Sequence, residues 1–127
     1  MQINSATDLE VYRAAYSLAM DIFRVSKSFP HEEIYSLTSQ IRRSSRSVCL
    51  NLREAWAKRR YESHFISKLT DCDGENAETE TSLQFALDCL YISPETHSDL
   101  HERNRSVGRM LGSILNRPAP FILKPSN

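Results

Sequence analysis

The chain has 127 residues with 16 basic and 16 acidic side chains, so it carries no formal net charge; 40% of its residues are hydrophobic, 25% are charged and only 3 are glycine. A single domain of this length buries enough surface to fold without disulfide or metal staples, and this composition excludes a disordered or sheet-rich chain. No apolar run approaches the roughly 20 residues that span a bilayer, and the N-terminal MQINSATDLEV lacks the basic and apolar regions of a secretory signal, so a cytoplasmic location with no membrane partner is expected.

Thr7 or Asp8 is the expected cap of a first helix running to about Ser28. Its apolar residues form two adjacent seams: Leu9, Tyr12, Tyr16, Ala19 and Phe23, then Val11, Ala15, Leu18, Ile22, Val25 and Phe29. Two seams predict burial against two neighbours, within the monomer or across a subunit contact. Pro30 biases Phe29 away from helical geometry, which makes FPHEE the turn into a second helix starting between Glu32 and Ser36. Lys58, Arg59 and Arg60 mark its end or its join to a third helix, since positive side chains offset the partial negative charge of a helix C-terminus. Ile34, Leu37, Ile41, Val48, Leu52 and Ala55, with Ser44 and Ser45 beside them, form the expected buried face. On the same helical wheel Arg42, Arg46, Arg53 and Arg60 fall within about 40° of one another, a stripe about 27 Å long.

A third helix is expected from about Tyr61 to Tyr91, with the seam Phe65, Leu69, Cys72, Asn76, Thr79, Leu83, Ala86 and Leu90. Gly74 within it predicts the close approach of another backbone, since glycine costs a helix about 1 kcal/mol relative to alanine. Ser93, Pro94 and Glu95 give the fourth helix a capping hydroxyl, a first-position proline and an acid in the first turn. Leu100, Val107, Leu111 and Ile114 carry its seam, and Pro118 and Pro120 stop it. Four amphipathic helices with short connections predict an all-α, up-and-down antiparallel four-helix bundle over residues 1–117. A proline-rich tail over residues 118–127 is too short for another element, with Phe121, Ile122 and Leu123 expected to tuck onto a neighbour.

Zero net charge conceals segregation. Arg42 to Arg60 holds six arginines and one lysine against Glu54 alone, whereas Asp71 to Glu80 holds five acids and no base. The arginines have two readings. They pair with Asp71, Asp73, Glu75, Glu78 and Glu80 within or between subunits, or Arg42, Arg43, Arg46, Arg53 and Arg60 meet the phosphates of RNA or DNA, whose oxygens suit guanidinium forks. Trp56 and Tyr61 are the only aromatics within the basic stretch that offer a stacking platform. Catalysis and cofactors find little support. Cys49, Cys72 and Cys89 form no C-x-x-C pair and sit on or beside apolar seams as reduced thiols, and no glycine-rich phosphate loop exists. His97 and His101 share a face at i and i+4 but gain no third ligand from sequence, so surface histidines without metal are expected. A non-enzymatic protein is the expectation, with a protein-binding structural or adaptor oligomer ahead of a nucleic-acid binder.

The strings FPHEEIYSLTSQIRRSSRSVCLNLREA and DGENAETETSLQFALDCLYIS resemble a bacterial family of four-helix-bundle proteins, named also for members encoded by intervening sequences in large-subunit ribosomal RNA genes. The likeness runs from Leu9 to Leu115 and is densest over LTSQIRRS, with Gln40, Asn51 and Glu54 at motif positions. The family is similar in fold to the accessory variability protein of diversity-generating retroelements, a basic homopentamer that binds a reverse transcriptase and nucleic acid. The resemblance therefore implies a bundle that assembles as a ring-shaped homopentamer, with RNA or DNA as one class of partner. Where that family commonly has Ile-Pro-Ser-Asn-Ile-Ala-Glu-Gly, this chain reads Val48 to Ala55 without the proline or glycine and with an added charge at Arg53. A straighter, longer second helix follows.

Overall fold

The computed structural model describes residues 3–123. The first two positions of the expected domain and the last four of the expected tail lie outside the described residues. Helices α1 (Glu10–Ser26), α2 (Leu37–Ala57), α3 (Glu62–Asp88) and α4 (Pro94–Asn116) account for most of the chain; the described residues contain no strand. Cross-helix contacts fix the topology. Arg42 and Arg46 of α2 meet Ser26 and Phe23 of α1, so α2 runs forward as α1 runs back. Arg43 and Glu54 reach Glu78 and Lys68 of α3, and Asn76 and Glu80 of α3 reach Asn104 and His101 of α4. Arg103 of α4 returns to Asp21 of α1, closing an antiparallel four-helix bundle.

The two seams of α1 serve two neighbours within the monomer, α2 and α4. Their buried residues include Val11, Ala15, Leu18, Ala19 and Ile22, while Tyr16 stays exposed. With Ile41, Leu52, Leu69, Leu83, Val107 and Leu111 they form the core, where each large aliphatic side chain contributes about 1.5–3 kcal/mol. A polar layer crosses the same core. Ser44 and Thr79 share a hydroxyl hydrogen bond of 2.8 Å. Asn76 Nδ2 donates to the Asn104 carbonyl at 3.2 Å, and Asn104 Nδ2 donates back to the Asn76 carbonyl at 3.0 Å. The reciprocal amides hold α3 and α4 in one register.

Several boundaries differ from expectation for local reasons. The Asp8 carboxylate accepts the Asn4 and Ser5 N–H groups at 2.9 and 3.1 Å and so caps a separate 3₁₀ turn, Ala6–Asp8, which delays α1 to Glu10. A second 3₁₀ turn, His31–Glu33, delays α2 to Leu37, leaving Ile34 exposed in the connection rather than on the buried face. Helix α3 ends at Asp88 in a Schellman motif: Tyr91 N–H donates to the Ala86 carbonyl and Leu90 N–H to the Leu87 carbonyl, both at 2.9 Å. Leu90, expected on the seam, takes the left-handed position of that motif with φ 65° and is 87% exposed. Gly74 approaches no other backbone, because a Cβ there would meet nothing within 4 Å. The close approach belongs to Gly108, whose added Cβ would lie 3.0 Å from Asn76 Nδ2. At the other end of the bundle Phe121, in a third 3₁₀ turn (Ala119–Phe121), stacks on Phe65 at 6.3 Å between centroids, and Leu123 N–H donates to the Arg59 carbonyl at 3.1 Å. The first part of the tail is thereby packed onto the domain.

Candidate functional site

Helix α2 presents a wide exposed arc between α1 and α3, and its arginines divide there. On the α1 side Arg42 Nε donates to Ser26 Oγ at 2.8 Å, and its guanidinium carbon lies 4.8 Å from the centre of the Phe23 ring. Arg46 lies 5.4 Å from the same ring, and Lys27 Nζ 4.8 Å. Three cations thus share one aromatic ring, whose negative π face offsets part of their mutual repulsion. Arg53 continues the row along α2, exposed to solvent, whereas Arg60, expected on the same helical stripe, lies beyond the end of α2 at Ala57, in the turn before α3, so the helical spacing holds for Arg42, Arg46 and Arg53 only. Among the described residues, none of Arg42, Arg46, Arg53 and Arg60 forms an ion pair.

The α3 side is neutralised. Arg43 reaches Glu75 at 3.1 Å and Glu78 at 2.6 Å; its bond to Glu78 raises its pKa further, and the same bond lowers that of Glu78. Glu54 pairs with Lys68 at 2.6 Å, which lowers its pKa, and Lys68 also reaches Asp71 at 3.3 Å. Glu80 faces His101 at 3.1 Å. Within the chain, among the described residues, pairing with the acidic stretch holds for Arg43 alone of the five arginines. The motif positions also lie away from the row. Gln40 lines an open groove with Arg43, Gly74, Glu78 and Phe85, while Asn51 Nδ2 donates to the Ser47 carbonyl at 3.0 Å within its own helix.

The aromatic partners of the row come from α1, where sequence reasoning did not place them. Trp56 is half-buried, with the Arg59 guanidinium 3.6 Å from its ring centre, and Tyr61 sits edge-on to His64 at the α2–α3 junction. Phe23 instead underlies the start of the row. Antiparallel packed helices repeat a contact about every seven residues, so the Phe23–Arg46 pair places Tyr16 level with Arg53. Tyr16 stacks on Tyr12 at 6.1 Å with an interplanar angle of 24° and is 53% exposed. The seam Tyr12, Tyr16, Phe23 was the available signal; which edge of α2 it adjoins was not.

Nucleophilic chemistry has weak means. Burial pushes the Cys49 and Cys72 thiols up to about 11 and about 12, which keeps them protonated at neutral pH, and Cys89 is exposed. His97 and His101 stack at 5.2 Å and are half-buried rather than free at the surface. Among the described residues no three His, Cys, Asp or Glu side chains come together as a metal-binding group, and no helix is long and apolar enough to cross a membrane.

A family model described as 23S rRNA-intervening sequence protein matches residues 7–113. The chain belongs to that family. A crystal structure of a Bacteroides thetaiotaomicron protein, described as of unknown function and from the S23 ribosomal protein family, is similar to this chain with a TM-score of 0.76 and 27% identity. The alignment covers 84% of this chain and 95% of that one, so the whole bundle is shared. No curated protein matches the chain. This 23S rRNA-intervening sequence protein family member carries its unpaired arginine row on the α1–α2 edge.

Proposed function

We propose that the chain is a non-enzymatic binding protein whose α1–α2 edge takes the phosphate backbone of RNA or DNA. The observation that supports this most is the contrast between Arg42 and Arg43. Arg43 is held by two carboxylates, whereas Arg42, Arg46, Arg53 and Arg60 have none among the described residues, and Arg42 commits only its Nε–H, to Ser26 Oγ. Phosphate oxygens accept from such forks, and a counterion-releasing contact of this kind weakens steeply with salt.

A second reading is a homo-oligomeric adaptor for another protein, in the pentameric ring that the family resemblance implies. It is favoured by large apolar side chains exposed at the end of the bundle where α2 begins and α3 ends: Tyr35 is 94% exposed, and Ile34, Phe85 and Leu90 are exposed as well. Tyr91 OH donates to Glu33 Oε2 at 2.9 Å, tying the connection that carries Ile34 and Tyr35 to the one that carries Leu90. The test uses the wild type and an Arg46→Glu, Arg53→Glu variant, with fluorescence anisotropy on labelled RNA and DNA at about 50 and about 200 mM salt. Salt-sensitive binding that falls at least ~100-fold in the variant, with melting temperature and mass by light scattering unchanged, is the expected result. Absence of binding by the wild type, or a variant that drops from pentamer to monomer, would overturn it and assign the row to a contact between subunits.

A further inference from the structure

From the placement of Tyr16 beside the arginine row we infer that the nucleic acid taken at the α1–α2 edge is single-stranded, with an unpaired base stacking on Tyr16 while Arg46 and Arg53 hold the adjoining phosphates. The inference rests on the reading of that edge as a phosphate-binding surface and adds the substrate class. Three observations carry it. Tyr16 is a large ring more than half exposed on a helix whose neighbouring apolar positions, Ala15 and Ala19, are buried. Its stacking on Tyr12 fixes the ring orientation in advance, so little side-chain freedom is lost when a base lands on it. Arg46 lies over Phe23, and one seven-residue step along each antiparallel helix leads from Phe23 to Tyr16 and from Arg46 to Arg53, so the exposed ring shares its level of the α1–α2 edge with Arg53.

The division between Phe23 and Tyr16 is chemical as well as positional. Phe23 is half-buried and its face is occupied by Lys27, Arg42 and Arg46. No cation is stacked on Tyr16 among the described residues, which leaves its exposed face to a π system. A base within a duplex already has both faces stacked and cannot use that ring, whereas an unpaired base can; aromatic stacking combined with a basic track is how sequence-tolerant single-strand binding works.

The experiment compares Tyr16→Ser and Tyr16→Phe with the wild type. Affinities are measured for an oligouridine, an oligothymidine and a duplex of the same length across a salt series. The expected result is a preference for both single strands over the duplex, an approximately tenfold loss for them in Tyr16→Ser with an unchanged salt slope, and retention in Tyr16→Phe. Equal binding of duplex and single strand, with no effect of Tyr16→Ser on either, overturns the stacking inference while the salt slope leaves the phosphate-binding reading in place. No binding of any probe overturns both. A change of oligomeric mass in Tyr16→Ser overturns the inference by assigning the ring to a contact between copies.

Discussion

Helix α2 meets α1 along one edge and α3 along the other, and the two edges treat charge in opposite ways. Toward α3 cations and acids find one another: Arg43 with Glu75 and Glu78, and Glu54 with Lys68. Beneath these pairs lie the buried Ser44–Thr79 bond and the Cys72 Sγ contact to the Val48 carbonyl at 3.6 Å. Toward α1 the cations lie over aromatic carbon and remain unpaired. Adjacent residues, Arg42 and Arg43, fall on either side of that divide, about 100° apart on the helix. One edge consumes its charge in ion pairs between helices; the other leaves it unpaired, the charge that the proposed phosphate contact would use. A net charge of zero hides this, because it sums a spent acidic side and an unspent basic one.

The contrast breaks hardest where α3 holds its other neighbour. Asn104→Ala removes the donor to the Asn76 carbonyl and leaves a space in the reciprocal amide pair, whose Asn76 Oδ1 is already buried without a partner. A loss of about 2 kcal/mol is expected, read as a lower urea midpoint with an unchanged slope. Oligonucleotide affinity should be unchanged under conditions where the variant is folded, since the Asn104 side chain is buried and hydrogen-bonds to Asn76 of α3, not to the arginine row. A variant of undiminished stability would show that the amide layer specifies register without stabilising the bundle.

A smaller effect sharpens the same comparison at α2 itself. Arg43→Ala removes two ion pairs whose shared arginine is 56% exposed, so no more than about 1 kcal/mol is at stake, and less at high salt. Affinity for RNA or DNA should stay within about twofold of wild type, against the at least ~100-fold loss expected for the Arg46, Arg53 double change. An Arg43→Ala variant that lost binding as severely would extend the ligand surface across the whole arc of α2, and the two edges would no longer be separate.

The sequence carries the four helices and nearly all of their buried residues because each apolar period answers to one buried face; Phe65, Leu69, Cys72, Asn76, Thr79, Leu83 and Ala86 are all buried as the period predicts. The element ends are less legible. Leu90 takes a left-handed backbone position usually filled by glycine, so no residue signal warned that α3 would stop before it. Gly74 shows the same limit from the other side: its propensity cost is visible, but whether it faces a neighbour or solvent depends on the orientation of α3. For the site, Arg42, Arg46 and Arg53 follow from spacing within one helix, while Arg60 falls past its end at Ala57. The row's aromatic partners on α1 depend on which helix adjoins which edge of α2, a fact of tertiary packing that neither helix encodes alone.

Acid distinguishes the edges with the smallest signal. Glu54, Glu78 and Asp21 have pKa values below their ordinary ones, held down first by hydrogen bonds from Lys68, Arg43 and Arg103 respectively. A carboxyl group whose folded pKa is depressed contributes stability that is present above its unfolded value, near 4, and is lost as pH falls through the folded value. Glu75 opposes this in part, since burial raises its pKa and its protonation relieves a cost. Denaturant midpoints measured from about pH 6 down to about pH 3 should therefore decline, and the decline should be shallower in Lys68→Met, which frees Glu54 of its partner. The Arg46, Arg53 row has no paired carboxylate to titrate. Changing both residues to alanine should leave the acid limb superimposable on wild type, and a flattened limb would reveal an acid partner that only an assembled state brings to the row.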